Sequence, residues 1–253
     1  MKIILIAVGI LLIEMATSAI AQPIASAEFN RVEQRFVIQS VIRIENATRG
    51  SSATGFVVRE RNGWKYIITN AHVTENGRKF NLDFYPHHGM DTFGGTELLA
   101  SDVERDLALL RVKSSASTGA LPLVMTPSWS KNELGFRVGF PNSKLKCEEV
   151  RLVDIFTADG RNQYGLKGAF LRMEPGSTGG ASGSPVVTKR GGGFHVVGVH
   201  RGSDGKISDA CFEIGQFLKQ HGYEWLADGD VTEDDVVLLL NVGFSMILDE
   251  LEQ

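Results

Sequence analysis

The chain has 253 residues, 43% of them hydrophobic, and a net charge of -4. That apolar fraction is enough for one large core or two small ones and excludes a disordered chain, while only 2 cysteines exclude a disulfide-dense scaffold. Basic residues are scattered among acidic ones, so there is no Lys/Arg stripe to suggest a nucleic-acid partner.

In chain order, Lys2, the apolar run Ile3 to Ile13 and the small residues around Ala19-Ile20-Ala21 read as an export signal, residues 1–21, cleaved after Ala21. The run is short for a membrane span and Glu14 ends it, so an uncleaved anchor is the alternative, and no membrane association is expected after cleavage. Residues 22–34 are read as an N-terminal segment or short propeptide.

From Arg35 onward, short runs of β-branched and aromatic residues alternate with turn residues. The expected strands are Phe36–Ile44, Gly55–Val58, Trp64–Ile68, Lys79–Tyr85, Glu97–Ser101, Leu107–Val112 and Leu121–Val124. They continue with Glu133–Phe140, Glu148–Phe156, Gly168–Met173, Pro185–Thr188 and Phe194–His200. Such spacing indicates an all-β barrel or sandwich. Arg61-Asn62-Gly63 and Gly191-Gly192-Gly193 suit hairpin loops, where positive φ is needed. After Ala210 the period changes: a last strand at Cys211–Ile214 and a helix at Gln216–Trp225 precede a break at Asp228-Gly229-Asp230. A second helix capped by Thr232 places Val236, Leu240, Phe244, Ile247 and Leu251 on one face, either packed on the barrel or forming a homo-oligomer contact.

The chemistry centres on Ser177 to Pro185, Ser-Thr-Gly-Gly-Ala-Ser-Gly-Ser-Pro. Ser182 stands among Gly179, Gly180 and Gly183, which permit a sharp turn, close substrate approach and main-chain N–H groups aimed at one point. His72 ends the apolar run Ile67-Ile68-Thr69-Asn70-Ala71, where a rigid scaffold can hold a general base facing a cleft. Asp106 precedes Leu107-Ala108-Leu109-Leu110, where a partly buried carboxylate can orient an imidazole. Taken singly, each is more often a turn or strand-end residue.

Together, in the order His, Asp, Ser, the contexts Thr69-Asn70-Ala71-His72, Asp106-Leu107-Ala108-Leu109 and Gly180-Ala181-Ser182-Gly183-Ser184-Pro185 resemble the chymotrypsin-fold (trypsin-like) serine proteases. The resemblance is to the bacterial V8-like glutamyl endopeptidases and the HtrA/Deg protease domains, over about residues 35–225. It implies two six-stranded antiparallel β-barrels, residues 35–120 and 121–214, followed by C-terminal helices in an extension at 226–253. It also implies a cofactor-free serine endopeptidase acting on protein or peptide substrates. Ser182 would be the nucleophile, His72 the base and Asp106 its orienting carboxylate, with an oxyanion hole from the Gly180 and Ser182 amides. Ala181 stands where digestive members carry Asp, so activation by a new N-terminus pairing there is not expected.

For the primary specificity pocket, the V8-like pattern matches Ser177 and His200, which would donate to an acidic acyl-side residue, with Arg201 adding positive potential. The alternative is a pocket for small or apolar side chains. His87 and His88 near Asp91 lack any metal-ligand spacing and are read as a solvated loop; no metal is expected. Cys147 and Cys211 are either a disulfide, given export, or two free thiols. Asn46-Ala47-Thr48 matches a glycosylation sequon by pattern only. Three readings stand: a secreted or periplasmic endopeptidase, a catalytically silent binding module on the same fold, and an HtrA-like quality-control protease lacking a PDZ domain.

Overall fold

Alternation of buried and half-buried positions marks the first strand, whereas the next two are buried over most of their length. In Val41–Asn46 (β1), Ile42, Ile44 and Asn46 share one buried face; Ser51–Arg61 (β2) and Trp64–Thr69 (β3) follow as antiparallel neighbours. The computed structural model describes residues 31–227 apart from 76, 78–79, 85–89, 92–94, 117, 163 and 191–192. The export signal, the second C-terminal helix, His87, His88 and the Gly191-Gly192 pair therefore lie outside the described residues.

Phe80–Phe84 (β4), Met90–Asp91 (β5), Glu97–Asp102 (β6) and Leu107–Lys113 (β7) complete a seven-stranded antiparallel sheet ordered β5-β4-β1-β2-β3-β7-β6. Among the described residues no ladder joins β5 to β6, so the first unit is a six-strand sheet extended by a two-residue edge, without hydrogen-bonded closure. The second unit is a closed barrel. Leu134–Gly139 (β8), Lys146–Asp159 (β9), Lys167–Glu174 (β10), Pro185–Arg190 (β11), Gly193–Ser203 (β12) and Ser208–Cys211 (β13) run β10-β13-β12-β11-β8-β9 and back to β10. The turn at Asn62-Gly63 has φ of 55° and 73°, both positive, as a tight hairpin connecting Arg61 to Trp64 requires.

Each unit has its own core. Ile42, Ile44, Val57, Ile67, Leu82 and Leu110 fill the first; Val150, Leu152, Leu171, Met173, Val186 and Val197 fill the second. A third cluster, including Phe56, Leu109, Val138, Phe140, Val199 and Phe217, bridges the two units. The sheets are thereby held face to face by burial, the dominant favourable term in such packing.

Three expected strands differ. Residues 36–40 belong to a helix, Arg31–Ser40 (α1), because a helix here buries Phe36 and Val37 together, sets the Phe36 and Phe194 rings at a 57° tilt with centroids 5.1 Å apart and lets Ser40 Oγ donate to Phe36 O. Leu121–Val124 is extended but outside any ladder: Leu121 N–H donates to Val57 O, and Pro122 has no N–H to give. The last strand ends at Cys211, and Ile214–Gln220 forms a helix (α3), followed by a 3-10 turn at Glu224–Leu226.

Cys147 and Cys211 are free, which corrects the disulfide expectation. Cys147 pairs with Val138 on β8, whereas Cys211 pairs with Phe170 on β10 and Val199 on β12. Cys147 itself stands on β9, nine positions before the Phe156 that faces Phe170, and β10 lies between it and Cys211 on β13. At about 3.3 Å per residue along β9, the two cysteines are beyond the ~7 Å Cα reach of a bridge.

Candidate active site

The strand β3 delivers its C-terminal end into the groove between the units. Asn70 is wholly buried and donates through Nδ2 to the Asp106 carbonyl at 2.8 Å, which fixes the start of the single-turn helix Ala71–Thr74 (α2) against the loop before β7. His72 lies on α2 with its side chain 44% exposed, and Asp106 faces it with 6% exposure. The His72 Nδ1 stands 2.8 Å from Asp106 Oδ2 and 3.0 Å from Oδ1, and the His72 N–H also donates to Oδ1 at 3.0 Å. Asp106 has φ of 56°, a left-handed conformation that Asp tolerates better than most residues and that turns its carboxylate back toward His72. With the proton on Nδ1, the Nε2 of His72 is left as an acceptor.

The loop carrying Ser182 is tied down by the first unit. Thr54 N–H donates to Ser182 O at 2.7 Å, and Thr54 Oγ1 donates to Gly180 O at 2.8 Å while accepting from Phe140 N–H at 3.0 Å. Gly180 and Gly183 have φ of 92° and 85°, and a Cβ on Gly183 would sit 1.9 Å from Thr54 O, so glycine is obligatory there. On the other side, His200 brackets Ser182: Gly183 N–H donates to His200 O and His200 N–H donates to Ser184 O, each at 2.8 Å. Among the described residues the Gly180 and Ser182 amides donate to no backbone carbonyl, whereas Ala181 N–H is turned to Thr178 O.

Arg201 links the two halves. Its carbonyl accepts the Ser182 hydroxyl at 3.1 Å, and its Nε lies 3.3 Å from Asp106 Oδ2. Its guanidinium stacks on Tyr164 at 4.3 Å, so the positive charge expected near the specificity pocket is turned toward Asp106 and Tyr164 instead. His72, Asp106 and Arg201 line a cleft of about 940 Å³ whose apolar wall includes Val103, Tyr164 and Ile207.

Ser177 and His200 are both close to β12 but share no hydrogen bond among the described residues. Ser177 N–H donates to Ser203 Oγ at 2.9 Å, and its own Oγ is buried without a partner, as is His200 Nδ1. Burial, reinforced by Arg137, pushes the His200 imidazole down to about 3, against a backbone hydrogen bond at Asp209, so the ring is neutral at ordinary pH.

Arg137 is a residue that sequence reasoning missed. It is 2% exposed on β8, and its guanidinium donates to Ser208 Oγ and Glu148 Oε2 at 2.7 Å and to Gly176 O at 3.1 Å. Burial works to raise the Glu148 carboxyl, but hydrogen bonds from Lys146 and Arg137 outweigh it and hold it below its ordinary value. Gly135 and Gly139 share its strand face, but a Cβ on either would meet Val187 O or Ser184 Oγ rather than Arg137, so they gave no signal for it. Among the described residues no group of His, Cys, Asp and Glu is arranged to hold a metal ion.

Two facing β units with a histidine–carboxylate pair and a glycine-flanked serine between them define the trypsin-like class. The chain belongs to the family described as the trypsin-like peptidase domain, whose model matches residues 53–199. It is 26% identical over 202 residues to a glutamyl endopeptidase of Staphylococcus aureus strain MW2, covering 71% of this chain and 57% of that protein. The counterpart from strain MRSA252 is 25% identical, with 71% and 52% covered. The chain thus spans little more than half the length of these curated relatives.

Solved structures agree on the fold. The Rv3671c protease of M. tuberculosis, as a serine-to-alanine mutant in its inactive form, superposes with a TM-score of 0.62 at 20% identity over 80% of this chain and 95% of that one. Its active form gives 0.60 at 21% identity over 76% and 85%. The serine endoprotease from Yersinia pestis gives 0.56 at 18% identity over 79% and 67%.

Proposed function

We propose that this chain is a serine endopeptidase that cuts protein or peptide substrates through an acyl-enzyme. Ser182 Oγ attacks the scissile carbonyl, and His72 accepts its proton at Nε2 and returns it to the leaving amine. Asp106 holds the Nδ1–H tautomer and stabilises the imidazolium. The Gly180 and Ser182 amides, donating to no carbonyl of their own, stabilise the oxyanion. The observation that carries this reading is the 2.8 Å contact of His72 Nδ1 with Asp106 Oδ2, joined through Arg201 to the Ser182 hydroxyl.

The preference we assign is for an acidic acyl-side residue. It is supported by the unpaired Ser177 Oγ and His200 Nδ1 and by the similarity to glutamyl endopeptidases. Work outside the cytoplasm, secreted or periplasmic, follows from the export signal read in residues 1–21. Among the described residues no helix is long and apolar enough to cross a membrane.

One observation favours a second reading, a binding module without turnover: the Ser182 hydroxyl points to Arg201 O. A fluorophosphonate probe separates the two. Stoichiometric labelling mapped to Ser182 by mass spectrometry is expected, and absence of labelling on folded protein would favour the silent module.

A further inference from the structure

A carboxylate taken from water into a protein pocket needs a fixed counter-charge as well as hydrogen-bond donors. Ser177 and neutral His200 supply donors or dipoles but no charge, and the Arg201 guanidinium is engaged by Asp106 and Tyr164. One cation does lie behind the pair. Arg137 reaches across the barrel from β8 to Gly176, the residue preceding Ser177, and to Ser208 on β13 beside β12. Its Nε–H is buried without a partner, as are Ser177 Oγ and His200 Nδ1, so three orphan polar atoms gather around one small region of the barrel. A buried polar group without a protein partner is completed by water, an ion or a ligand, and here all three atoms belong to groups that touch or adjoin Arg137 or Ser177.

The charges facing this spot come from every strand around it. Glu148 on β9 neutralises Arg137 but is itself paired with Lys146, so the Arg137, Glu148 and Lys146 cluster keeps a net charge of about +1. His200 on β12 faces Arg137 and feels His72 and Arg201, and β13 offers the Asp209 backbone.

We infer that Arg137 is a specificity-determining residue, the fixed cation at the base of the primary pocket, against which an acidic acyl-side side chain is recognised together with Ser177 and His200. This rests on the acidic preference proposed above and adds that the preference is set by a guanidinium rather than an imidazole.

The test uses the purified mature chain and three fluorogenic peptides identical except for Glu, Gln or Ala at the acyl-side position. The readout is the Glu:Gln ratio of kcat/KM, from which any general loss of activity, and any titration of His72, cancels. Wild type is expected to favour Glu by on the order of tenfold to a hundredfold, the range for a charge-assisted hydrogen bond. That ratio should stay flat from about pH 5.5 to 8.5, because neither the glutamate carboxylate nor arginine titrates there. The double variant Arg137→Met, Glu148→Gln leaves no buried charge unpaired and is expected to bring the ratio close to that of a neutral pocket, within about threefold of unity.

A double variant that keeps the wild-type ratio would overturn the role of Arg137 while leaving the acidic preference standing. If the variant does not fold, the wild-type pH series decides. A ratio that collapses with a midpoint near the ordinary histidine range, about 6.5, would place the selecting charge on an imidazole and overturn the inference. A wild type that does not distinguish Glu from Gln, with Ala cut as well or better, would remove the acidic preference and this inference together.

Discussion

Thr54→Val is the sharpest perturbation of the account because the two side chains have nearly the same shape and differ in one buried hydroxyl. Thr54 is wholly buried, and its Oγ1 donates to Gly180 O at 2.8 Å and accepts from Phe140 N–H at 3.0 Å. Valine leaves that carbonyl and that amide without partners in a tightly packed site, where a Cβ added to Gly139 would come within 2.8 Å of this hydroxyl. Each orphaned buried group costs about 1–3 kcal/mol, so with partial relaxation the expected destabilisation is about 2–4 kcal/mol. Because the Gly180 amide is one of the two proposed above for the oxyanion, kcat should fall by about tenfold to a hundredfold with little change in KM. The stability part is measured by urea unfolding in a Ser182→Ala background, which prevents self-digestion, with Thr54→Ser as the control that keeps the hydroxyl. A Thr54→Val midpoint shift equivalent to less than about 0.5 kcal/mol would refute the claim that this hydroxyl ties the nucleophile loop to the first unit.

Other expectations follow from the same coordinates. Asp106→Asn keeps a residue tolerant of the left-handed φ of 56° but sets an amide NH2 donor where Oδ2 faced His72 Nδ1, disfavouring the Nδ1–H tautomer, so kcat should fall by about 10³–10⁴ without loss of folding, checked by steady-state kinetics beside circular dichroism. His200, lowered by burial and Arg137 to about 3, binds fewer protons folded than unfolded between that value and its ordinary 6.5. Stability is therefore full above about pH 6.5 and is lost as pH falls toward 3, by up to ~1.4 kcal/mol per pH unit. His200→Gln should flatten this slope in urea midpoints taken at several pH values. Burial, with Glu148 beside it, pushes the Cys147 thiol up to about 12, and burial also raises Cys211. Iodoacetamide at pH 8 should then modify neither in the folded chain, and both after denaturation without reductant.

The strands around the site were legible as short β-branched and aromatic runs between turn residues; His72 sits just past the end of such a run, and Asp106 and Ser182 just before the start of one. Three features were not legible, each for a physical reason. The α1 segment has strand-like composition, but Phe36 and Val37 gain more by being buried together under the barrels than by extending, so tertiary packing overrode propensity. Free cysteines could not be told from a bridge, since export permits both and only strand order and register separate Cys147 on β9 from Cys211 on β13. Arg137 lies in an alternating strand where a charged residue normally faces water, and its inward direction becomes visible only once the register Arg137↔Glu148 and Arg137↔Val186 is known.

The central claim is that His72, Asp106 and Ser182 work as one hydrolytic unit. Its most direct test is digestion of an unstructured protein by the wild-type chain beside Ser182→Ala, with every new terminus mapped by mass spectrometry. Cuts made by the wild type alone, mostly after Glu or Asp, are the expected result. Equal cutting by Ser182→Ala, or no cutting by folded wild type that also resists fluorophosphonate, would contradict it.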